Sequence, residues 1–388
     1  MYESINHKMK DRLVVFTTKW HGSIYSFYFT QEAVNWRASW ITHRNYHTRR
    51  CYMKDREYCE MVKTVTFITL IFVALPMAGL AAELSLKLGH VTPSGSLYDV
   101  AATKFSERLA ANTRGKAEII VYGNAQLGSP PEHWVQVKAG VMDFYVEDIG
   151  VASVVEPEPK NFDVVKAPYL FESQERFHAF LQSDLFKSMI GKVERANNLK
   201  YVSYLGDRPA RGFSTTKKRA TIPDDIKGLK LRVPPEPIFV AMYKAWGANP
   251  TPVAPKEVYT SLKSGLVDGV DLNMLDLWLA KYHEIQKFFM PIEYMMSGMG
   301  CWTSAKKWES FSEDVRAALL KSAQETEIYV NASLVKEMGE AEKAFKQAGL
   351  EIVHLDLKPW KEIAEKEVQK NDGKLWEKGL YDKVKAIK

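Results

Sequence analysis

The stretch that decides the fold runs from Asp224 to Asp271. It opens as Asp224-Asp-Ile-Lys-Gly228-Leu-Lys-Leu-Arg232-Val-Pro234. It continues through a helical run to Trp246 and then reads Gly247-Ala-Asn-Pro-Thr-Pro252. After Glu257-Val-Tyr-Thr-Ser-Leu262 it closes on Val267-Asp-Gly-Val-Asp271. Leu229–Val233 alternates and stops at a proline, as a short strand does. Ile238–Trp246 has the period of an amphipathic helix, closed by Gly247. Lys256–Lys263 is a second helix, ended near Gly265, and Leu266–Leu272 is a second strand. The unit is read as strand–helix–strand–helix–strand, its middle strand falling between the two helices with no residues assigned to it, and the Arg232 guanidinium stands at a strand end. In parallel α/β sheets that end opens on a crevice.

Outward from this unit the same grammar continues. Leu84–Leu88, Ala117–Tyr122 and Met142–Glu147 read as strands, separated by helices at Ser96–Thr113 and Glu132–Ala139. That is βαβαβ, the doubly wound arrangement. Helices at Gln174–Leu181 and Asp184–Asn197 precede a strand at Lys200–Leu205. The chain then crosses, through Gly206-Asp-Arg208-Pro-Ala-Arg211, to a second domain. Strands at Phe289–Met296 and Cys301–Ser304 bring it back. One helical pattern spans Glu313–Gln347, with Ser310-x-x-Glu313 at capping-box spacing. At ~1.5 Å per residue it is about 50 Å long, so it runs along both domains or bends. Glu351–Leu355 and Pro359–Asn371 complete the second domain as strand and helix. The expected boundaries are 83–207 plus 297–336 for domain I and 208–296 plus 337–388 for domain II.

The N-terminus differs in kind. Residues 1–60 show no sustained helical or strand period and read as a disordered extension ahead of the true start. Met61-Val-Lys opens a secretory signal, with an apolar run over 65–77 and small residues at Gly79, Ala81 and Ala82. That run is short of the ~20 residues a membrane span needs. Cleavage near Glu83 would release a chain bound for the periplasm. Residues 1–82 hold eleven of the 53 Lys and Arg and six of the 47 Asp and Glu, so the remainder is close to neutral. No basic stripe with interleaved aromatics argues for nucleic acid. Of the three cysteines only Cys301 follows the signal, in an apolar run that suits a buried thiol.

The chain carries no Gly-x-Ser-x-Gly elbow, no His-Glu-x-x-His and no phosphate loop. His90, His133, His178, His283 and His354 are not paired at metal-ligand spacing. Nothing in the motifs asks for catalysis, a metal or a cofactor. A binding site for a small anion asks for less: one or two fixed cations, some donors and acceptors, and an aromatic wall. Arginine suits a carboxylate because its planar fork makes two parallel charge-assisted hydrogen bonds.

Four strings occur in order: Asp-x-x-Gly-Leu-Lys-Leu-Arg-Val-Pro, Gly-Ala-Asn-Pro-Thr-Pro, Glu-Val-Tyr-x-x-Leu and Val-Asp-Gly. Together they resemble the solute-binding proteins of TRAP transporters, the tripartite ATP-independent type called DctP. The resemblance runs from about Leu84 to the C-terminus. It implies two doubly wound α/β domains with a hinge and a long spanning helix, like type II periplasmic binding proteins. It implies capture of a small organic acid between them and delivery to small and large membrane permease subunits.

The resemblance also assigns residues. Arg232 would hold the ligand carboxylate. Arg211 best fits a second arginine, with Arg208 competing. His90 would supply a polar contact after the first strand and Glu147 an acceptor at the tip of the third. Asp271 and Asn273 follow the Val-Asp-Gly string, where sialic-acid binders have a ligand asparagine one position earlier, at Leu272. Pro235 replaces another asparagine, and Gly150 stands where those binders have an arginine. These departures argue against sialic acid and favour sugar acids, hydroxy acids or other monocarboxylates over dicarboxylates. Trp278, Tyr294 and Trp302 are candidates for the aromatic wall or for core. Two other readings share the pocket: a sensor-kinase ligand receptor and an enzyme acting on a small carboxylate.

Overall fold

The computed structural model describes residues 13–20, 23–30 and 82–388. The chain forms two compact units, Met1–Met77 and Ala78–Lys388. In the first, β1 (Leu13–Trp20) and β2 (Ser23–Thr30) pair antiparallel, from Leu13 opposite Thr30 to Trp20 opposite Ser23. This corrects the expectation of no strand structure before residue 60. Both strands are rich in the β-branched and aromatic residues that suit a pleated ribbon. The expected signal segment lies, but for its last residue, outside the described residues.

The second unit begins with β3 (Leu84–Gly89), α1 (Leu97–Asn112), β4 (Ala117–Tyr122), α2 (Pro130–Ala139) and β5 (Phe144–Asp148). Helix α1 is capped by Ser96, whose side chain accepts from the Asp99 backbone. Helix α2 starts with two prolines, and the Glu132 carboxylate accepts from both the backbone and hydroxyl of Ser129. Strand β3 lies parallel between β4 and β5. Two 3₁₀ segments follow, Ile149–Val154 and Asn161–Lys166. Helices α3 (Gln174–Gln182) and α4 (Asp184–Asn197) then lead to β6 (Leu199–Arg208).

After Pro209-Ala210 the chain enters a second sheet. Strand β7 (Arg211–Thr215) is followed by β8 (Lys230–Val233), α5 (Pro237–Ala245), β9 (Asn249–Pro252), α6 (Val258–Lys263), β10 (Gly269–Asn273), α7 (Met274–Leu279) and β11 (Phe288–Met290). Strand β12 (Ser297–Ser304) returns to the first sheet, antiparallel to β5 and β6. Next come α8 (Ala305–Ser310), α9 (Glu313–Ala348), β13 (Glu351–Ile352), α10 (Lys358–Asn371) and α11 (Leu380–Lys385). The sheets have the orders β4-β3-β5-β12-β6 and β13-β11-β7-β10-β8-β9. The architecture of this second unit is mixed α/β with two sheets, joined by crossings at 209–210 and 291–296 and by α9.

Strand β7 was not expected, and β9 takes the middle place of the strand–helix–strand–helix–strand unit, to which no residues had been assigned. Strand β9 is Asn-Pro-Thr-Pro at the sheet's rim, and proline is tolerated there because one edge needs no donor. The cap of α9 is also corrected. Ser312, not Ser310, accepts from Val315 N at 3.3 Å, while the Ser310 hydroxyl bonds back to Lys307 O and finishes α8. The 36 residues of α9 extend about 54 Å. Its first half packs Leu319, Ala323 and Val330 with Leu86, Phe105, Phe144 and the buried Cys301 of the first sheet. Its second half packs Ala341 and Phe345 with Val270, Leu275 and Phe289 of the second. Each such large side chain contributes roughly 1.5–3 kcal/mol on burial, so the helix is anchored at both ends. The C-terminal tail does not stay with the second sheet. Glu377 N bonds Asn161 and the Arg176 guanidinium bonds Ile387 O, tying the tail to the first-sheet side.

Candidate functional site

The two crossings lie side by side. Arg211 N bonds Met295 O at 2.9 Å, and Tyr294 N bonds Arg211 O at 3.1 Å. Around them converge the ends of β3 and β5 from the first sheet and of β8 and β10 from the second. Charged side chains gather here because parallel strands end here.

Arg211 is tied to Asp271. Its Nε and Nη2 reach Asp271 Oδ1 at 3.2 Å and Oδ2 at 2.9 Å, and Nη2 also reaches the Asp271 carbonyl at 3.1 Å. The Tyr294 hydroxyl donates to Asp271 Oδ1 at 3.0 Å, and the Arg211 guanidinium lies over the Phe239 ring. Burial opposes the Arg211 charge most strongly, yet Asp271, Tyr294 and Tyr243 together outweigh it and hold the pKa well above its usual value. Arg208 is bound on two sides: Nη1 to Asp148 Oδ2 at 2.8 Å and Nη2 to Asp276 Oδ2 at 2.5 Å. Asp276 also accepts from Asn273 Nδ2 at 2.6 Å, and Asn273 Oδ1 caps α7 by accepting from Asp276 N. Both arginines expected to compete for one ligand role are thus held by internal carboxylates. Asp271 and Asn273 are held in the same network.

Arg232 differs. It sits at the end of β8 and is 4% exposed. Its Nε donates to Val253 O at 2.9 Å. Among the described residues no carboxylate lies within ion-pair distance of it, and its two terminal nitrogens make no hydrogen bond. Burial, then repulsion from Arg211, lowers its pKa to about 10 against the opposing pull of Asp271. A buried guanidinium without a fixed anion is costly unless something else supplies one.

Glu147 is the penultimate residue of β5 and is buried. Tyr145 Oη donates to its Oε2 and Asp148 N to its Oε1, both at 2.9 Å. Burial still pushes its carboxyl up to about 7. His90 is fully buried, with Nδ1 3.1 Å from Thr92 Oγ1 and Nε2 3.1 Å from Asp99 Oδ1. Burial lowers its pKa despite Asp99. The remaining candidates divide. Tyr294 belongs to the Arg211–Asp271 set, Trp302 is buried against Trp134 and Tyr201, Trp278 is half-buried beside the second core, and Pro235 is exposed.

Two groups had no sequence signal. His133, on α2, is fully buried against Tyr145, and neither ring nitrogen has a partner among the described residues. Burial lowers its pKa to about 4. Lys166 is 1% exposed and binds Asp163, Glu236 and Ser153. It lies in no motif, and its partners are joined only by folding. Among the described residues no group of His, Cys, Asp and Glu could hold a metal ion, and no helix is long and apolar enough to cross a membrane.

Residues 88–374 match the family model described as bacterial extracellular solute-binding protein, family 7. The chain is 27% identical over 311 residues to the 2,3-diketo-L-gulonate-binding periplasmic protein YiaO of Escherichia coli, covering 79% of this chain and 93% of the relative. It is also 27% identical, over 301 residues, to the C4-dicarboxylate-binding periplasmic protein DctP of Rhodobacter capsulatus, covering 76% and 88%. Among solved structures it is similar to a TRAP periplasmic solute-binding protein of Xanthobacter autotrophicus with bound β-D-galacturonate. That match has a TM-score of 0.69 and 27% identity and covers 78% of this chain and all of that one.

Proposed function

This chain belongs to the bacterial extracellular solute-binding proteins, family 7, and from that premise we propose that it captures a small organic acid in a cleft between two α/β domains. Its relatives are solute-binding receptors rather than enzymes, and the proposed function needs no catalytic step and no cofactor. The domains are residues 83–207 with 297–336 and residues 208–296 with 337–388, the tail after Asp372 bracing the first. Arg232 takes the ligand carboxylate as a bidentate pair. Glu147 and the polar groups near His90 face the remainder of the ligand. The Arg211–Asp271 and Arg208–Asp148–Asp276 networks fix the crossings about which the domains close. Closure excludes water and strengthens the pair at Arg232. The loaded form is delivered in the periplasm to small and large TRAP permease subunits, where an ion gradient drives transport. We read residues 61–82 as the export signal.

The observation that carries this reading is Arg232: a buried guanidinium at a strand end with no carboxylate of its own. Relatives bind diketogulonate, C4-dicarboxylates and galacturonate, all acids. Sugar acids fit best here, because Glu147 supplies acceptors for hydroxyls. Thermal melting against a panel of sugar and hydroxy acids, each beside its neutral amide, tests it. A ligand at 100 times its Kd stabilises the fold by about 2.7 kcal/mol. Shifts with acids and not with amides are expected. Equal shifts with the amides would remove the carboxylate from the account.

A further inference from the structure

We propose that the Lys166–Glu236 ion pair is a charge filter that makes this cleft select acids with one carboxylate and a hydroxylated tail over acids with a carboxylate at both ends. The inference rests on the carboxylate-binding reading of Arg232 and deepens it.

Lys166 closes the second 3₁₀ segment, on the first-sheet side. Glu236 precedes α5, four residues after Arg232, on the second-sheet side. The pair therefore joins the two sides beside the proposed clamp. Lys166 Nζ is held by Glu236 Oε2, by Asp163 Oδ1 at 2.6 Å and by Ser153 Oγ at 2.9 Å. Its stem is fixed as well. It lies over Gly150, where an added Cβ would stand 2.8 Å from Lys166 Cγ. The ammonium has three donors and three acceptors, so it is fully used. Glu236 acts on both sides of the site. Its carboxylate favours the charge of Arg232 and disfavours ionisation of Tyr145, the hydrogen-bond partner of Glu147.

The charges then decide what a ligand meets. Arg211 is matched by Asp271, Arg208 by Asp148 and Asp276, and Lys166 by Asp163 and Glu236. The two latter cations carry more acid than they neutralise. Arg232 alone among these four is unmatched, so one ligand carboxylate finds a cation. A second carboxylate finds none, and it approaches surplus acid where water is scarce and repulsion is strong. A hydroxyl in the same place can donate to the unused lone pairs of Glu236 or Glu147.

The test compares an aldonate with the aldarate of the same chain length, D-gluconate with D-glucarate and D-galactonate with D-galactarate, by calorimetric titration of the purified protein. The wild type is expected to bind an aldonate at least about tenfold more tightly than its aldarate. Glu236→Gln keeps the shape, frees Lys166 from one carboxylate, and is expected to shrink that ratio about tenfold by tightening the aldarate. Lys166→Gln leaves the acids uncompensated and is expected to widen the ratio, giving the opposite sign. A wild type that prefers aldarates, or a ratio unmoved by Glu236→Gln, overturns the filter while acid binding stands. Binding of neither acid class by any of the three proteins overturns the carboxylate reading beneath it and the filter with it.

Discussion

Strands β7 and β8 flank the same strand, β10, and each carries a buried arginine. Arg211 opposes Asn273 in register and reaches Asp271, two residues earlier. Arg232 opposes Val270 and reaches only the Val253 carbonyl. The first arginine is architecture: its charge is neutralised on folding and holds the crossings together. The second is an unmet demand for an anion. Burial alone does not separate them, since both are about equally hidden. What separates them is whether the neighbouring strand supplies a carboxylate.

Replacing each arginine should therefore be read out in different quantities. Arg211→Ala strands the fully buried Asp271 without its partner, and breaking such a pair costs roughly 3–5 kcal/mol. Urea unfolding should show that loss even without any ligand. An Arg211→Ala protein as stable as the wild type would erase the distinction between the two strands.

The next effect sharpens the site side of the comparison. Glu147 has its carboxyl raised from 4.5 to about 7 by burial. A carboxyl raised on folding weighs against the fold only when ionised. Its burden is absent below about pH 4.5 and complete above about pH 7, so stability falls as pH rises through that window. Glu147→Gln removes the burden. Its stability relative to wild type should grow by up to ~3 kcal/mol between pH 4.5 and 7.5, measured by denaturation at stepped pH. His133, lowered to about 4, acts in the opposite sense between pH 4 and 6.5, but it is common to both proteins and cancels in the difference. A gap that does not change with pH would mean Glu147 stays ionised in the fold.

A smaller effect belongs to the frame rather than the site. Ser312→Ala should cost about 1 kcal/mol through the lost α9 cap, with acid affinity unchanged. Ser310→Ala should cost much less, since that hydroxyl caps nothing in α9. Equal losses would restore the cap that sequence spacing suggested.

Much of the frame was readable before folding. Period, glycine stops and proline breaks marked β3, α1, β4, α2, β5 and α9 to within a few residues, because those signals are local. The Arg-Val-Pro string marked Arg232 for the same reason. The rest was set by distant neighbours. The partner of Arg211 is on β10, which no local pattern places beside β7. Lys166 meets Glu236 only once both sheets have formed. Asn273 reads as a ligand residue in the string yet serves as the cap of α7. Strand β9 was hidden by its own prolines and exists because the sheet offers it an edge.

The central claim is that Arg232 is kept without an internal anion so that a ligand can supply one. Arg232→Met tests it most directly, because methionine fills similar space without charge. The variant should melt at or above the wild-type temperature, since a costly buried cation is gone. The same variant should lose, by calorimetry, about two to three decades in affinity for the acid that the wild type binds, or roughly 3–5 kcal/mol. A variant that melts far lower yet binds the acid undiminished would contradict it, placing Arg232 in the frame and the carboxylate elsewhere.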